Sequence, residues 1–585
     1  MTIDPCRSSI AESLSQIVQK SLGPEGQQLS VEDIFSMLEK PPKADMGDYA
    51  LPCFRFAKAL KSAPNKIAEN FATELKDAGN PWVESTAATG AFLNVFIDAS
   101  KLAEHILPLV KSDKAFGMFA EKSERVMIEF SQPNTHKEFH VGHSRNAFLG
   151  NALVRLYRYC GYPVVGVNYF GDEGTHIAKC LWHINKSGEK APQDQRGRWL
   201  GSMYAAADRA LKSASEDEQQ EIRKEIGDVL AAIESKNGPL YDQWLETREW
   251  SLDDFKDIYK WFHIDFDHDF FESEVSEESQ MLVDEYLEKG VFVLDDGAVG
   301  VDLKEYKLGF CILRKRDGNT LYATKDLALA KRKFGDFQID RSIYVVGNEQ
   351  NHHFKQVFKV LDLMGFEQAK NCYHLSYGMV VLPEGKMSSR DGTNVSFHEL
   401  TQMVDSELDK ILDRYRGEWD ESELAEARHR LCEGSLKYGM LSTDPSGQIV
   451  FNLQDWLSFE GNSGPYLMYS FSRTQSILRK GRDADKVPAH DNLNLLQEAS
   501  EKELLRFIYD FNKVVESAAE NYKPSTLLTH LFYMCKSFNR FYTDVSVLKA
   551  ETDDLVAARL ALIEGFSKTL AVGLSLVGIT PPERM

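Results

Sequence analysis

The chain has 585 residues, of which 43% are hydrophobic, 27% charged and 11% aromatic. That is the balance of a folded, water-soluble protein of several domains, and it excludes a disordered chain or a small disulfide-stapled module. The 68 basic and 89 acidic residues give a net charge of −21, which argues against indiscriminate attraction to nucleic acid or to anionic membranes.

Eight scattered cysteines (Cys6, Cys53, Cys160, Cys180, Cys311, Cys372, Cys432, Cys535) show neither CxxC nor zinc spacing and are expected to be thiols in a reducing compartment. The most apolar stretch, residues 570–579, is about half of the ~20 residues a membrane span needs. The first twenty residues match no secretory or transit signal, so a cytoplasmic location is expected.

In chain order, the first hundred residues combine helical patterning with a β-like end at 89–97, followed by a short helix at 101–110. This predicts a small α+β domain over residues 1–112. Residues 126–130 form an apolar strand. After a loop, Leu149, Leu153, Leu156 and Cys160 share one helical face, Gly161 and Pro163 end the helix, and 164–170 resumes as a strand. Strand, loop, helix, strand is a βαβ unit, with a ligand crevice expected at the carboxyl ends of its parallel strands.

Residues 190–290 are highly charged and mostly helical in pattern, as a solvated insertion would be. Strand-like runs at 299–302, 310–314, 342–346 and 379–382 predict the second half of a doubly wound sheet, giving an α/β domain over 113–400. From Phe397 onward the pattern is helical, with connecting helices over 401–445 and a bundle over 446–585. Ile563, Phe566, Leu570, Leu574 and Val577 form one apolar face there, ended by Gly578, Pro581 and Pro582.

Between the first strand and its helix lies SQPNTHKEFHVGH, residues 131–143, whose three histidines, lysine and asparagine a bare crossover does not need. His140 and His143 fall at a helix N-terminus, where free N–H groups suit a phosphate. Gly142 allows close backbone approach, and the imidazoles can donate to a phosphoryl group gaining charge. A two-histidine metal site is the weaker reading, because no third ligand matches. A second polar segment, GKMSSRDGT at 385–393, follows the late strand and can bring Lys386, Ser388, Ser389 and Arg390 over nucleotide phosphates; alone it reads as an exposed turn.

Together HVGH and KMSSR resemble the HIGH and KMSKS signatures of class I aminoacyl-tRNA synthetases. IEFSQPNTHKEFHVGHSRN, NYFGDEGTHIAK, LYATKDLALA, VVGNEQNHHF, EGNSGPYLMYSFSR and the terminal GITPPERM resemble arginyl-tRNA synthetases from about Asp45 to the last residue. The resemblance implies a Rossmann-type doubly wound parallel sheet, an N-terminal tRNA-elbow domain and an all-α anticodon-binding bundle. It also implies a monomeric arginine–tRNA ligase that takes L-arginine, ATP with Mg²⁺, and tRNA(Arg).

By that resemblance His140, His143, Lys137, Lys386 and Ser388 are catalytic, and Ser131, Gly142, Met387 and Ser389 join them around ATP. Ser389 stands where the general signature has its second lysine; Lys137, three residues before His140, is the implied substitute. Glu129, Asn134, Tyr322, Asp326 and Gln350 match the arginine site. A guanidinium has five donors, so carboxylates such as Glu129 and Asp326 can receive it bidentately, while Asn134 or Gln350 can hold the α-amino or carboxylate end. For Asp326 a helix cap is the competing role. Such a site can reject analogues by about 10⁴ to 10⁵ without editing, so the 190–290 insertion is not expected to be hydrolytic.

Tyr466, Tyr469 and Arg473 share a helical face, and Arg479, Lys480 and Arg482 follow with no intervening acid, a basic and aromatic surface suited to RNA. The resemblance adds Met585 beside the anticodon, and Asn94 and Phe96 at the tRNA elbow. A nucleotidyltransferase using the same histidine signature and a non-catalytic RNA-binding paralogue are the rivals. With this surface the net charge of −21 is compatible with RNA, provided docking is by local patches.

Overall fold

A computed structural model describes residues 4–23, 28–43, 46–117, 119–316, 318–381 and 395–585. At the N-terminus, β1 (Tyr49–Pro52), β2 (Val83–Thr89) and β3 (Phe92–Ile97) form an antiparallel sheet in the order β1-β3-β2. The β-like end at 89–97 is the second arm of a hairpin. This domain docks on the helix Ala499–Glu520 of the C-terminal bundle. Asp4 accepts hydrogen bonds from the hydroxyls of Tyr49 (2.7 Å) and Tyr509 (2.6 Å), and Arg506 pairs with Asp48 at 2.5 Å.

The central sheet holds β4 (Val126–Glu129), β5 (Val164–Phe170), β6 (His268–Phe271), β10 (Arg341–Gly347) and β11 (Cys372–Tyr377) in the order β11-β10-β4-β5-β6, every pairing parallel. All of β4 and nearly all of β5 are buried, as parallel strands covered on both faces must be. The helix Val141–Tyr159 links them and is buried almost all round, between the sheet and the C-terminal helices. Gly161, at φ +82°, ends that helix as the sequence indicates.

Three expectations change. The charged 190–290 stretch contains β6, which is short, carries two polar residues among its four and buries only Phe270 fully, so its pattern is too weak to read. The helices Thr175–Ser187, Arg196–Ser213, Glu216–Glu234 and Pro239–Trp261 fill the β5–β6 crossover around a small core of their own, including Leu181, Leu200, Ile226 and Trp244.

The runs at 299–302 and 310–314 do not join the parallel sheet. With β7 (Val293–Asp295), β8 (Ala298–Asp302) and β9 (Phe310–Arg314) form a separate antiparallel sheet, and Ile312 of β9 faces solvent. The run at 379–382 does not join the central sheet either: among its described residues Val380–Val381 is strand and pairs with Ile449–Val450, and the strand beyond β10 is β11.

The C-terminal half is helical, as its pattern predicts. Ile563, Phe566, Leu570, Leu574 and Val577 are fully buried along and just after the helix Asp553–Leu576. All eight cysteines are free thiols, seven of them buried.

Candidate active site

The loop after β4 has unusual backbone. Ser131, Gln132 and His136 have φ of +79°, +49° and +62°, a left-handed conformation that non-glycine residues hold only when their surroundings impose it. Here side chains do so. Asn146 Oδ1 accepts from the Ser131 N–H (2.8 Å), while its Nδ2 donates to Gln132 Oε1 (3.1 Å) and the Val345 carbonyl (3.0 Å). Asn168 Nδ2 donates to the Tyr259 hydroxyl (3.0 Å), which also hydrogen-bonds Ser131 Oγ at 2.8 Å. Asn134 bridges the backbone of Gly171.

His136 is fully buried. Its ring contacts Thr135 Oγ1 (3.1 Å) and Thr247 Oγ1 (2.8 Å), its N–H donates to Ser251 Oγ (2.9 Å), and burial pushes its pKa down to about 3. This histidine ties the loop to the helix Pro239–Trp261 and stays neutral.

His140 is the N-cap of Val141–Tyr159. Its Nδ1 accepts from the Gly142 N–H (3.1 Å), and His143 Nδ1 accepts from the His140 N–H (3.2 Å), a reciprocal capping box in which imidazoles replace the usual hydroxyl and carboxylate. The rings stack with centroids 3.8 Å apart. Burial, reinforced by the Lys137 charge, lowers His140 to about 4; burial, His140 and Lys137 hold His143 well below the usual imidazole range.

Both rings are therefore neutral. Because each Nδ1 accepts, the ring proton sits on each Nε2, so the pair presents two N–H donors. Gly142 makes this possible, since a Cβ there would lie 3.0 Å from His140 Cε1 and 3.1 Å from its Nδ1.

Lys137 lies beside the pair, 5.3 Å from the Tyr204 ring, with Lys179 at 4.9 Å from the same ring. Lys179 is paired with Asp208 at 2.8 Å, whereas Lys137 has no carboxylate partner among the described residues. Burial and then Lys179 lower the Lys137 pKa. A partly desolvated ammonium with no ion pair among the described residues, only partly offset by the charges of Glu272 and Asp208 and set next to two N–H donors and a helix N-terminus, favours an anionic ligand.

The second polar segment cannot be placed in the same way: Lys386, Met387, Ser388 and Ser389 lie outside the described residues. What precedes and follows that segment is anchored on the histidine helix. Arg145 donates to the carbonyls of Gly378, Pro445 (3.1 Å) and Gly447 (2.9 Å), and residues 395–397 pair with 139–141 through Val141 N–H to Val395 O (3.1 Å) and Phe397 N–H to Phe139 O (2.8 Å).

Opposite lies an acidic pocket. Glu129, at the carboxyl end of β4, is 3% exposed; its carboxylate accepts from the fully buried Lys333 and from Gln132 Nε2 (2.8 Å). A substrate cation at Glu129 would share it with Lys333. Asp326 lies inside the helix Tyr322–Phe337, whose N-cap is Leu321, so it is no cap; it accepts from His353 Nε2 at 2.6 Å. The half-exposed Tyr322 packs on the His353 ring at 4.5 Å, and Gln350 stands exposed at the start of the helix Asn351–Leu363.

The buried Tyr169 hydroxyl has no partner among the described residues, and Glu272, Asp326, Glu129 and Asp172 surround it closely enough to add to burial in holding its pKa well above the usual phenol value. Asp172 is occupied by Arg248 (2.8 Å) and Ser273, and Glu173 by Lys325 (2.8 Å). Glu272 is the least neutralised, with Lys325 at 3.5 Å. Burial raises it from its ordinary 4.5 to about 7 against the lowering charge of Lys325, with Asp326, Asp172 and Glu173 adding to the rise. The sequence pattern hides Glu272, because the whole charged stretch reads as solvated; the acid directly after Phe270 and Phe271 was the available signal.

On the RNA-facing surfaces, Asn94 is buried and donates to Thr89 Oγ1 (3.1 Å) and Phe96 is half-buried, while Phe54 and Phe92 beside them form an exposed edge-to-face pair at 5.9 Å. In the bundle, Tyr466 and Arg473 both reach Asn539, at 2.8 and 3.4 Å, and Arg473 also lies over the Tyr542 ring. Arg479, Lys480 and Arg482 have no carboxylate partner among the described residues. Met585 is partly buried against the core, and Arg584 lies 5.5 Å over Trp419 and pairs with Glu423 at 3.0 Å.

A doubly wound parallel sheet whose first crossover helix opens on a stacked histidine pair, facing an acidic pocket across the strand ends, defines a class I aminoacyl-tRNA synthetase catalytic domain. The model of class I (R) tRNA synthetase catalytic domains matches residues 105–453, that of arginyl tRNA synthetase N-terminal domains 6–97, and that of DALR anticodon-binding domains 467–585. The chain belongs to the arginyl-tRNA synthetase family.

The arginine–tRNA ligase of Bdellovibrio bacteriovorus is 44% identical over 95% of both chains, and that of Treponema denticola is 38% identical over 92% of this chain and 93% of its own. The structure of Thermus thermophilus arginyl-tRNA synthetase superposes with a TM-score of 0.79 at 26% identity, covering 100% of both chains.

Proposed function

We propose that this arginine–tRNA ligase carries out both half-reactions in the crevice between the histidine pair and the acidic pocket. The carboxylate of arginine attacks the α-phosphorus of ATP, forming arginyl-adenylate and releasing pyrophosphate. The 3′-terminal adenosine hydroxyl of tRNA(Arg) then attacks the arginyl carbonyl and releases AMP. The observation that carries this reading is the pair of neutral imidazoles whose Nδ1 atoms are each taken by a backbone N–H, leaving the ring proton on Nε2, beside Lys137, which has no carboxylate partner among the described residues.

Charge grows on the phosphate oxygens as the α-phosphorus becomes five-coordinate. Donors fixed in advance by a capping box stabilise it without reorganising. Lys137 takes the place of the second lysine of KMSKS, and Lys386 and Ser388 hold the leaving pyrophosphate, with Ser131, Gly142, Met387 and Ser389 around the nucleotide. Mg²⁺ arrives with ATP, held by phosphates and water. Asp326 with Tyr322, joined by Glu272, receives the guanidinium; Glu129, already shared with Lys333, takes the α-amino group rather than the guanidinium expected of it from the sequence, and Asn134 and Gln350 take the carboxylate end.

The basic face at Tyr466, Arg473 and 479–482, with Met585, takes the anticodon arm, and the domain bearing Asn94 and Phe96 takes the elbow. The protein works as a cytoplasmic monomer; among the described residues no helix is long and apolar enough to cross a membrane. The matched families and relatives give no support to a nucleotidyltransferase. Pyrophosphate exchange tests the reading: it should require arginine, ATP and cognate tRNA together, and robust exchange with lysine or glutamate would overturn it.

A further inference from the structure

Lys437, on the helix Glu421–Leu441, is completely buried yet charged, and all three of its ammonium N–H directions are used. It donates to the Phe262 carbonyl (2.7 Å), to Glu433 Oε1 (2.6 Å) and to the Gly578 carbonyl (2.5 Å). Those acceptors come from three parts of the molecule: the turn after the crossover helix of the catalytic domain, the connecting helix, and the start of the C-terminal tail. Glu433 also pairs with His263 at 2.9 Å, and Arg155, on the histidine helix, joins the His263 carbonyl (3.1 Å) to the Ser575 carbonyl (3.3 Å).

His263, His429 and Glu433 are the one group of possible metal ligands at close range among the described residues, but Glu433 already carries Lys437, so the cluster serves as an ion-pair junction.

Each end of this junction leads to a functional surface. Phe262 is fully buried and packs on Phe148 (4.5 Å), Phe397 (4.9 Å) and Phe139 (6.2 Å), and the Phe139 ring lies 5.0 Å from that of His143. On the other side, the tail after Gly578 is fixed by Ser472 Oγ donating to the Pro582 carbonyl (2.6 Å) and by the Arg584–Glu423 pair. Gly578 sits at φ +74°, and a Cβ there would lie 3.0 Å from Lys437 Nζ, so tail and lysine are in direct register.

From this arrangement we propose that Lys437 is a positioning residue that couples the seating of the C-terminal tail to the orientation of the His140–His143 pair. The junction is contiguous and saturated, so a shift of the Gly578 carbonyl cannot be absorbed locally: a buried ammonium left with an empty N–H direction moves or drags its other acceptors. The proposal rests on the ligase reading.

The test uses the full-length chain with the variants Lys437→Met, Gly578→Ala and their combination, together with Lys437→Arg and the charge-balanced Glu433→Gln/Lys437→Met, which leaves no orphaned carboxylate. Measured quantities are aminoacylation kcat and KM for tRNA, tRNA binding by filter retention, and Tm. Lys437→Met and Gly578→Ala should each lower kcat about tenfold with tRNA binding within twofold of the parent. The combined variant should fall little further, because both break one junction, and Lys437→Arg should recover part of the loss. Variants that lose Tm but keep kcat, or a combined loss that multiplies to a hundredfold, would make Lys437 a purely structural residue. Failure of the parent chain to charge arginine would instead refute the ligase reading.

Discussion

The acidic pocket yields the prediction most open to measurement, because Glu272 carries a pKa near the working pH. A carboxyl moved from its ordinary 4.5 to about 7 by burial costs about 3 kcal/mol to ionise in the folded chain relative to water. The sign follows: this cost bears on the empty protein as pH rises through 4.5 to 7 and is relieved when a substrate cation enters. If the guanidinium selects the ionised form, the KM for arginine should rise about tenfold between pH 8 and pH 6, since one proton competes with the substrate below a pKa of about 7.

Glu272→Gln keeps the shape and removes the charge. It should abolish that pH dependence and lower kcat/KM for arginine by roughly a hundredfold, about 3 kcal/mol, the cost of losing one partner of a desolvated pair. The assay is tRNA-supported pyrophosphate exchange across pH 6 to 8.5 at saturating ATP. A flat KM profile in the parent, or a Glu272→Gln variant with unchanged KM, would refute the assignment of this carboxylate to the pocket.

Other substitutions address the phosphate side and the RNA surface. Gly142→Ala places a methyl 3.0 Å from the His140 ring, so the imidazole must shift from its cap; kcat should fall by about 10² and Tm by a few degrees, since a lost N-cap costs about 1 kcal/mol, and normal turnover would contradict the locked-ring account. Lys137→Met should reduce kcat for activation by about 10² to 10³, and Lys137→Arg should retain more activity, a pattern that equal losses in both would exclude. Neutralising Arg479, Lys480 and Arg482 should weaken tRNA binding and make the plot of log K against log salt shallower by about 0.7 to 0.9 for each phosphate no longer neutralised, as titration at several salt concentrations would show.

The site was legible where its signal is local. The HVGH segment announces a helix start, and its flanking elements fall where periodicity and the Gly161–Pro163 stop place them. Its meaning as a pair of neutral donors is not local: it depends on backbone N–H groups captured by Nδ1 atoms and on burial from distant helices. His136 shows the converse, since a histidine that looks functional in the string is spent on Thr135, Thr247 and Ser251.

The strand β9 misled because Phe310, Cys311, Ile312 and Leu313 are all apolar although Ile312 faces solvent, whereas β11 is a polar-looking edge strand. Glu272 was hidden by composition: among so many acids, its place directly after Phe270 and Phe271 was the one sequence cue, and the fold is what sets it, half-buried, beside Tyr169. The same applies to the net charge of −21, which does not reveal that the cations at 479–482 stand free of carboxylates among the described residues.

The central claim is that this crevice activates arginine and passes it to tRNA. The most direct measurement charges purified total tRNA with each labelled amino acid in turn, with ATP and Mg²⁺ present. Arginine alone should become acid-precipitable, and the signal should vanish in His143→Ala while that variant still retains tRNA on a filter. Charging of a different amino acid, or arginine charging that survives the loss of His143, would contradict the account.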